Sequence, residues 1–323
     1  MRVPYRCLIP RGLEGILVTG LGVSAHRDAL PVIRMQADVQ NQGYAAGVAA
    51  AMIAKKGCGV RELDIKALQK HLVQKGNLPD TVLKEVDSFP ISKAAVAAAV
   101  ERLTNDYEKL EVVLAQFEIA QPLLREAYAK AETAKAKTIY AHVLGMMGDA
   151  TGAAVLAKAV SAAAWDKGWR YTGMGQFGPC MSPLDSRIIA LGRTRDKQAL
   201  APILEKVALL TPESEFSHFR AVAMALEALG DRGGAKALAQ LLQKPGMSGH
   251  AVPNIHAALQ KNPAHRNDTS NRNQALSELV LARALYRCGD YEGLGEQILR
   301  QYAQDLHGIY ARHAQAILKQ RSL

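Results

Sequence analysis

The chain has 323 residues, 49% of them hydrophobic and 22% charged, with a formal net charge of +10. That is long enough for one large domain or two ordinary ones, and too apolar for a disordered chain. Aromatic residues, at 5%, are too few for an all-β protein, whereas alanine, roughly one residue in six, points to closely packed helices. In chain order, the first expected element is a short buried strand at Gly15-Ile16-Leu17-Val18-Thr19-Gly20, an apolar run bounded by glycines. Loop chemistry follows at Gly20, Gly22, Ser24, Asp28 and Pro31. A helix is expected over 35–54, with Met35, Val39, Gly43, Ala46, Ala50 and Ile53 on one face. Gly57 and Gly59 are placed to end it. A second helix over 64–74 carries Ile65, Leu68 and Leu72 and stops at Gly76. Pro79 and Pro90 then punctuate a helical connector, taken as 79–104.

Beyond residue 104 the pattern is almost wholly helical, with turns of Gly and Asp. Four segments share a register: Leu144-Gly-Met-Met-Gly-Asp149, Leu191-Gly-Arg-Thr-Arg-Asp196, Leu226-Glu-Ala-Leu-Gly-Asp231 and Leu285-Tyr-Arg-Cys-Gly-Asp290. In each, an Ala/Leu helix ends and a turn closes on an Asp suited to accept backbone N–H bonds from the next helix. The Asp-to-Asp intervals of 47, 35 and 59 residues fit helix pairs with insertions. This pattern resembles HEAT-like repeats over residues 105–323, which implies helix pairs stacked into an α-α superhelix. Two insertions interrupt it, one from Trp165 to Pro179 holding both tryptophans, and one from Lys261 to Asn273.

Two glycine patterns bear on nucleotide binding. Gly173-Met-Gly175-Gln-Phe-Gly178 fits GxGxxG in letters, but a Trp-rich stretch precedes it and Pro179 follows, so a packed aromatic–glycine loop is expected there rather than a cofactor loop. Gly20-Leu-Gly22-Val-Ser-Ala25 follows the expected strand, but no βαβ unit continues from it.

The first 75 residues carry several motifs in a fixed order. They are Val3-Pro-Tyr-Arg, Ile16-Leu-Val-Thr-Gly20, Ser24-Ala-His-Arg-Asp-Ala29, Arg34 and Gly43-Tyr-Ala-Ala-Gly47-Val-Ala-Ala-Ala51. Together with the Val60–Gln69 segment they resemble the C-terminal part of the FAD-dependent oxidoreductase family. The resemblance implies a flavoprotein, with Gly20, Gly22, Ser24, Arg34, Gln36 and Gly43 facing FAD. His26 and Arg27 are candidates for a substrate-facing role, and Tyr5 and Arg6 are weaker ones. At Leu21 the chain departs from the Arg or Asp that often follows the strand's Gly in related flavoproteins. That family holds the adenosine diphosphate half of FAD on an N-terminal Rossmann unit. This chain has no such unit, so it is expected to be a fragment, or one subunit, needing that part to bind FAD.

The resulting expectation is a mainly α protein. Residues 1–78 form an incomplete α/β flavin-binding segment, 79–104 a connector, and 105–323 a HEAT-like domain. The expected function is an FAD-dependent oxidoreductase acting on a small-molecule substrate. The alternative is a non-enzymatic helical scaffold that binds a protein or nucleic acid. Basic residues are spread without a stripe, so nucleic acid is not expected, although a protein partner on the helical repeats is. Cys7, Cys58, Cys180 and Cys288 lie far apart without CxxC spacing, and the histidines lack HExxH spacing, so no metal is expected. The longest weakly polar run, 45–54, is half the length of about 20 residues that a bilayer needs. The opening residues lack a signal-peptide core, and the compartment is left open.

Overall fold

A computed structural model describes residues 3–26, 29–87, 89–169, 181–261 and 268–320. The chain divides into two compact units, Met1–Pro90 and Ile91–Leu323. The division falls inside the expected 79–104 connector.

The first unit is built on two helices, α1 (Gln36–Lys56) and α2 (Ile65–Gln74). Gly57 closes α1 in the left-handed conformation at φ 65°, which costs glycine nothing for want of a Cβ. Asp64 caps α2 by accepting from the Ala67 amide. The expected strand at 15–20 does not form, and no strand is present among the described residues, so the α/β description of this segment is corrected. Gly15 and Gly20 take φ of 70° and 67°, which breaks the extended run at both ends. Between them the backbone makes single bonds rather than a ladder, such as Val18 N to Leu8 O at 2.8 Å. Short 3-10 turns follow at Gly20–Gly22 and Leu30–Val32.

The buried face of α1 matches the expected one only in part, at Ala46 and the half-buried Val39 and Ile53. Gln42, Ala46 and Ala49 point inward, while Met35, Gly43 and Ala50 are exposed. Ala-rich helices give little contrast between faces, so periodicity alone cannot fix the rotation. Two small apolar clusters fill the unit, one around Leu8, Val23, Ile33 and Ala46, the other around Ala49, Leu63, Leu68 and Leu72. Long side chains reaching backbone carbonyls supplement them. Arg61 donates to Leu13 O and Pro10 O and pairs with Glu14. Lys66 donates to the carbonyls of Leu83 and Glu85.

The second unit begins with α3 (Lys93–Arg102), α4 (Leu110–Ala115) and α5 (Phe117–Lys130). Four helix pairs follow: α6 (Ala134–Met146) with α7 (Ala153–Ala162), α8 (Pro183–Arg193) with α9 (Leu200–Ala208), α10 (Phe216–Leu229) with α11 (Ala235–Leu242), and, after the short α12 (Ile255–Leu259), α13 (Ser270–Arg287) with α14 (Leu294–Tyr302). The closing helix α15 (Gly308–Gln320) packs on α14 and α13. Helices α6, α8, α10 and α13 pack one on the next, and α7, α9 and α11 do the same. The result is a two-layered stack with a continuous apolar core.

The recurring aspartates sit between the paired helices. Asp149 accepts from Thr151 N, Asp196 from Gln198 N, Asp231 from Gly233 N, and Asp290 from Gly295 N and Glu296 N. Each neutralises amides that the following turn leaves without an intrahelical partner. Close helix approach depends on small residues. A Cβ on Gly192 would lie 2.3 Å from Ala225 O, and one on Gly145 would lie 2.9 Å from Ala190 O.

Candidate functional site

The residues assigned to a cofactor all belong to the first unit. The turn at Gly20–Gly22 packs on α1, which brings the loop glycines to the side of that helix. Gly20 is buried, with φ 67°, and a Cβ there would lie 3.4 Å from Val39 Cγ1. At Gly22 a Cβ would lie 2.8 Å from Val18 Cγ1. Both glycines therefore serve the packing of the loop. Ser24 is exposed, and its amide donates to Cys7 O at 2.9 Å. His26 is exposed, while Arg27 lies outside the described residues, as does the GxGxxG of 173–178.

Arg34 and Gln36 are exposed at the start of α1. This N-terminus differs from that of α2: its cap residue is Met35, and no side chain among the described residues caps it. Its first-turn N–H groups carry the positive end of a 21-residue helix, at which Gln36 and Ala37 are exposed. Asp38, in the first turn, offsets part of that charge. Along the same helix, a Cβ on Gly43 or Gly47 would meet nothing within 4 Å, so this side of α1 is open to close approach. Exposed apolar side chains stand in the neighbouring loops, with Leu21 73% and Met35 63% exposed.

Gln42, which the sequence reading passed over, fixes the approach to this N-terminus. Its buried Nε2 donates to Ile33 O at 2.7 Å, pinning the loop that carries Arg34. The signal was available in outline, since Gln42 is the one polar residue on the inward stripe with Ala46 and Ala49. Tyr5 is turned inward rather than toward α1's open side, and its hydroxyl donates to Val60 O at 3.1 Å. Arg6 pairs with Asp87 and stacks over Phe89, its Cζ 5.3 Å from the ring centre.

The second unit holds two buried polar clusters. Asp185, in a capping box with Ser182 at the start of α8, lies 2.7 Å from His218 Nδ1. Burial alone would raise the Asp185 pKa, but hydrogen bonds from His218, the Ser182 amide and Ser217 outweigh it and hold the carboxyl below its ordinary range. Trp165 lies against the His218 ring at 4.1 Å, and the Trp169 amide donates to Ser217 Oγ, so the described part of the Trp insertion is a packed loop. In the other cluster His142 links Tyr107 OH at 2.7 Å to Ser186 Oγ at 2.8 Å. Burial, with Arg187 nearby, pushes its imidazole down to about 4, so it is neutral at pH 7. A base this weak is far from the operating pH that proton transfer favours, and the chain of bonds reads as a clamp between helices.

Among the described residues no group of His, Cys, Asp and Glu is placed to hold a metal, and no helix is long and apolar enough to cross a membrane. With this geometry in view, residues 2–72 match the family model described as FAD dependent oxidoreductase. That span contains the 20–24 loop, Arg34, Gln36 and the open side of α1. No curated protein and no solved structure matches the chain.

Proposed function

We propose that the first unit forms one wall of an FAD site in an oxidoreductase acting on a small-molecule substrate, and that it corresponds to the C-terminal part of that family's flavin domain. The observation that carries this reading is the family match over residues 2–72, which coincides with an uncapped helix N-terminus beside an open, small-residue face. When bound, the flavin supplies the electron transfer. In this reading the Gln36, Ala37 and Asp38 amides, with the Arg34 guanidinium, hold negative charge on the cofactor. Gly43 and Gly47 let it lie against α1, Ser24 offers a hydroxyl, and His26 is the nearest candidate to move a proton. The absence of any strand among the described residues leaves no βαβ cradle for the pyrophosphate. That half of the site is therefore assigned to protein outside these 323 residues. On its own the chain is expected to hold FAD only weakly.

The second unit is read as a HEAT-like superhelix. Its stacked helix pairs favour a second role as a scaffold, binding a protein partner independently of any redox chemistry.

Fluorescence anisotropy of FAD titrated with the protein tests the flavin reading. Saturable binding that is weakened several-fold by Arg34→Ala and abolished by Gly43→Leu supports it. Binding indifferent to both substitutions, or none up to several millimolar, leaves the scaffold role alone.

A further inference from the structure

We propose that a cleft at one edge of the helical stack binds a small organic anion, a phosphate or carboxylate group carried on an apolar body. The cleft, of about 590 Å³, lies between the α10–α11 turn, the α13–α14 turn and the end of α15. Its volume falls within the range of small-molecule sites, roughly 300–1,000 Å³. Arg232 and Arg287 line it, with the Gln320 amide beside them, while Tyr286 and Ile317 supply a buried apolar floor.

The charges of Arg232, Arg283 and Arg287 balance those of Glu227, Asp231 and Asp290, so the anion reading rests on the two guanidiniums that line the cleft. Three helices, α10, α13 and α15, end at this cleft, and free carbonyls at such ends repel an anion. Some of those carbonyls are already bonded: Leu226 O accepts from the Gly230 amide and the Cys288 thiol, and Ala284 O and Leu285 O accept from the amides of Cys288 and Asp290. The acids nearby are engaged as well. Glu227 pairs with Arg283 at 2.5 Å and with Arg287 at 3.5 Å, Asp231 caps the α10–α11 turn, and Asp290 caps α14. Arg287 donates to Gln320 Oε1 at 2.9 Å, which leaves that amide's N–H groups for a ligand.

Arg232 is exposed, and its side chain has no hydrogen-bond or ion-pair partner among the described residues. Its stem lies over Gly289, where a Cβ would come within 3.2 Å of Arg232 Cγ, so the glycine leaves room for that arginine. A fork of guanidinium donors over an apolar floor matches a planar or tetrahedral anion on a ring or chain.

Calorimetric titration of the full chain with phenyl phosphate, benzoate, inorganic phosphate and benzyl alcohol tests this. The expected result is saturable one-to-one binding of phenyl phosphate or benzoate that weakens as salt is raised, and no binding of benzyl alcohol. The ratio of the two anions identifies the preferred head group. Arg232→Gln should weaken binding about tenfold and Arg232→Lys less, with helical circular dichroism unchanged. No saturable binding by either aromatic anion overturns the proposal. Affinity unchanged in Arg232→Gln also overturns it, as does inorganic phosphate binding as tightly as phenyl phosphate. The site is in the second unit and shares no residue with the flavin reading, so neither result decides the other.

Discussion

At the scale of single residues, the molecule relies on buried polar groups whose partners are supplied by distant parts of the chain. His142 is the most exposed to pH. Its folded-state value of about 4 lies below the unfolded value of about 6.5, so the unfolded chain binds the extra proton first. Its contribution is complete above pH 6.5 and declines as pH falls toward 4. At pH 5 the loss amounts to about 2 kcal/mol. Urea unfolding at pH 7.5 and pH 5 should show a smaller difference between the two for His142→Gln than for the wild-type protein, and an equal difference would refute this assignment. Asp185 behaves in the opposite sense. Its carboxyl is held below the ordinary range, so its stabilisation is present at neutral pH and is lost as pH falls through the folded value. Asp185→Asn should lower stability at pH 7 by about 3 kcal/mol, because it breaks a fully buried pair with His218. A melting temperature within a degree of wild type would contradict that.

At the scale of elements, caps and close approaches decide the architecture. Asp149 is buried and bonded to Thr151, Arg125 and Gln121, whereas Asp196 serves an exposed turn. Asp149→Ala should therefore cost more than Asp196→Ala, for which about 1 kcal/mol is expected; chemical denaturation of the pair provides the comparison. Glycines separate in the same way. Gly192→Ala drives a methyl into the α10 backbone and should cost about 3 kcal/mol, while Gly43→Ala meets open space and should stabilise α1 by about 0.5–1 kcal/mol. Equal effects in thermal melts would mean that the α8–α10 contact is looser than described.

This scale is also where the sequence was most and least legible. The Asp-ended turns could be read because a cap needs a particular side chain at a particular place, and the four aspartates do accept the amides expected of them. Helix α1 could be placed within about two residues of its observed ends, since glycine closes it. The strand at 15–20 was misread because an apolar run between glycines records burial preference and says nothing of a partner strand. The inward face of α1 was legible only in part, at Ala46, because alanine and glycine barely distinguish buried from exposed. Arg61, Lys66 and Gln42 bond to carbonyls of other segments, and carbonyls leave no trace in a sequence.

Over the whole molecule, the two units differ in what holds them. Residues 91–323 share extended apolar cores, with fully buried side chains such as Leu124, Leu144, Leu191, Ile203 and Leu226. Residues 1–90 enclose two small clusters supplemented by side-chain bonds to carbonyls. A polypeptide of 91–323 should fold cooperatively by itself, with a melting temperature near that of the full chain. The first 90 residues alone should be marginal. Circular dichroism melts of both pieces check this, and a non-cooperative 91–323 would overturn the two-unit description. At this scale the main idea is the flavin wall proposed for the first unit. The amide spectrum of the isotopically labelled chain, titrated with FAD to several millimolar, tests that idea most directly. Shifts should concentrate at Gly22, Ser24, Gln36, Ala37 and Gly43, with the second unit silent; shifts scattered over both units, or none near the start of α1, would contradict it.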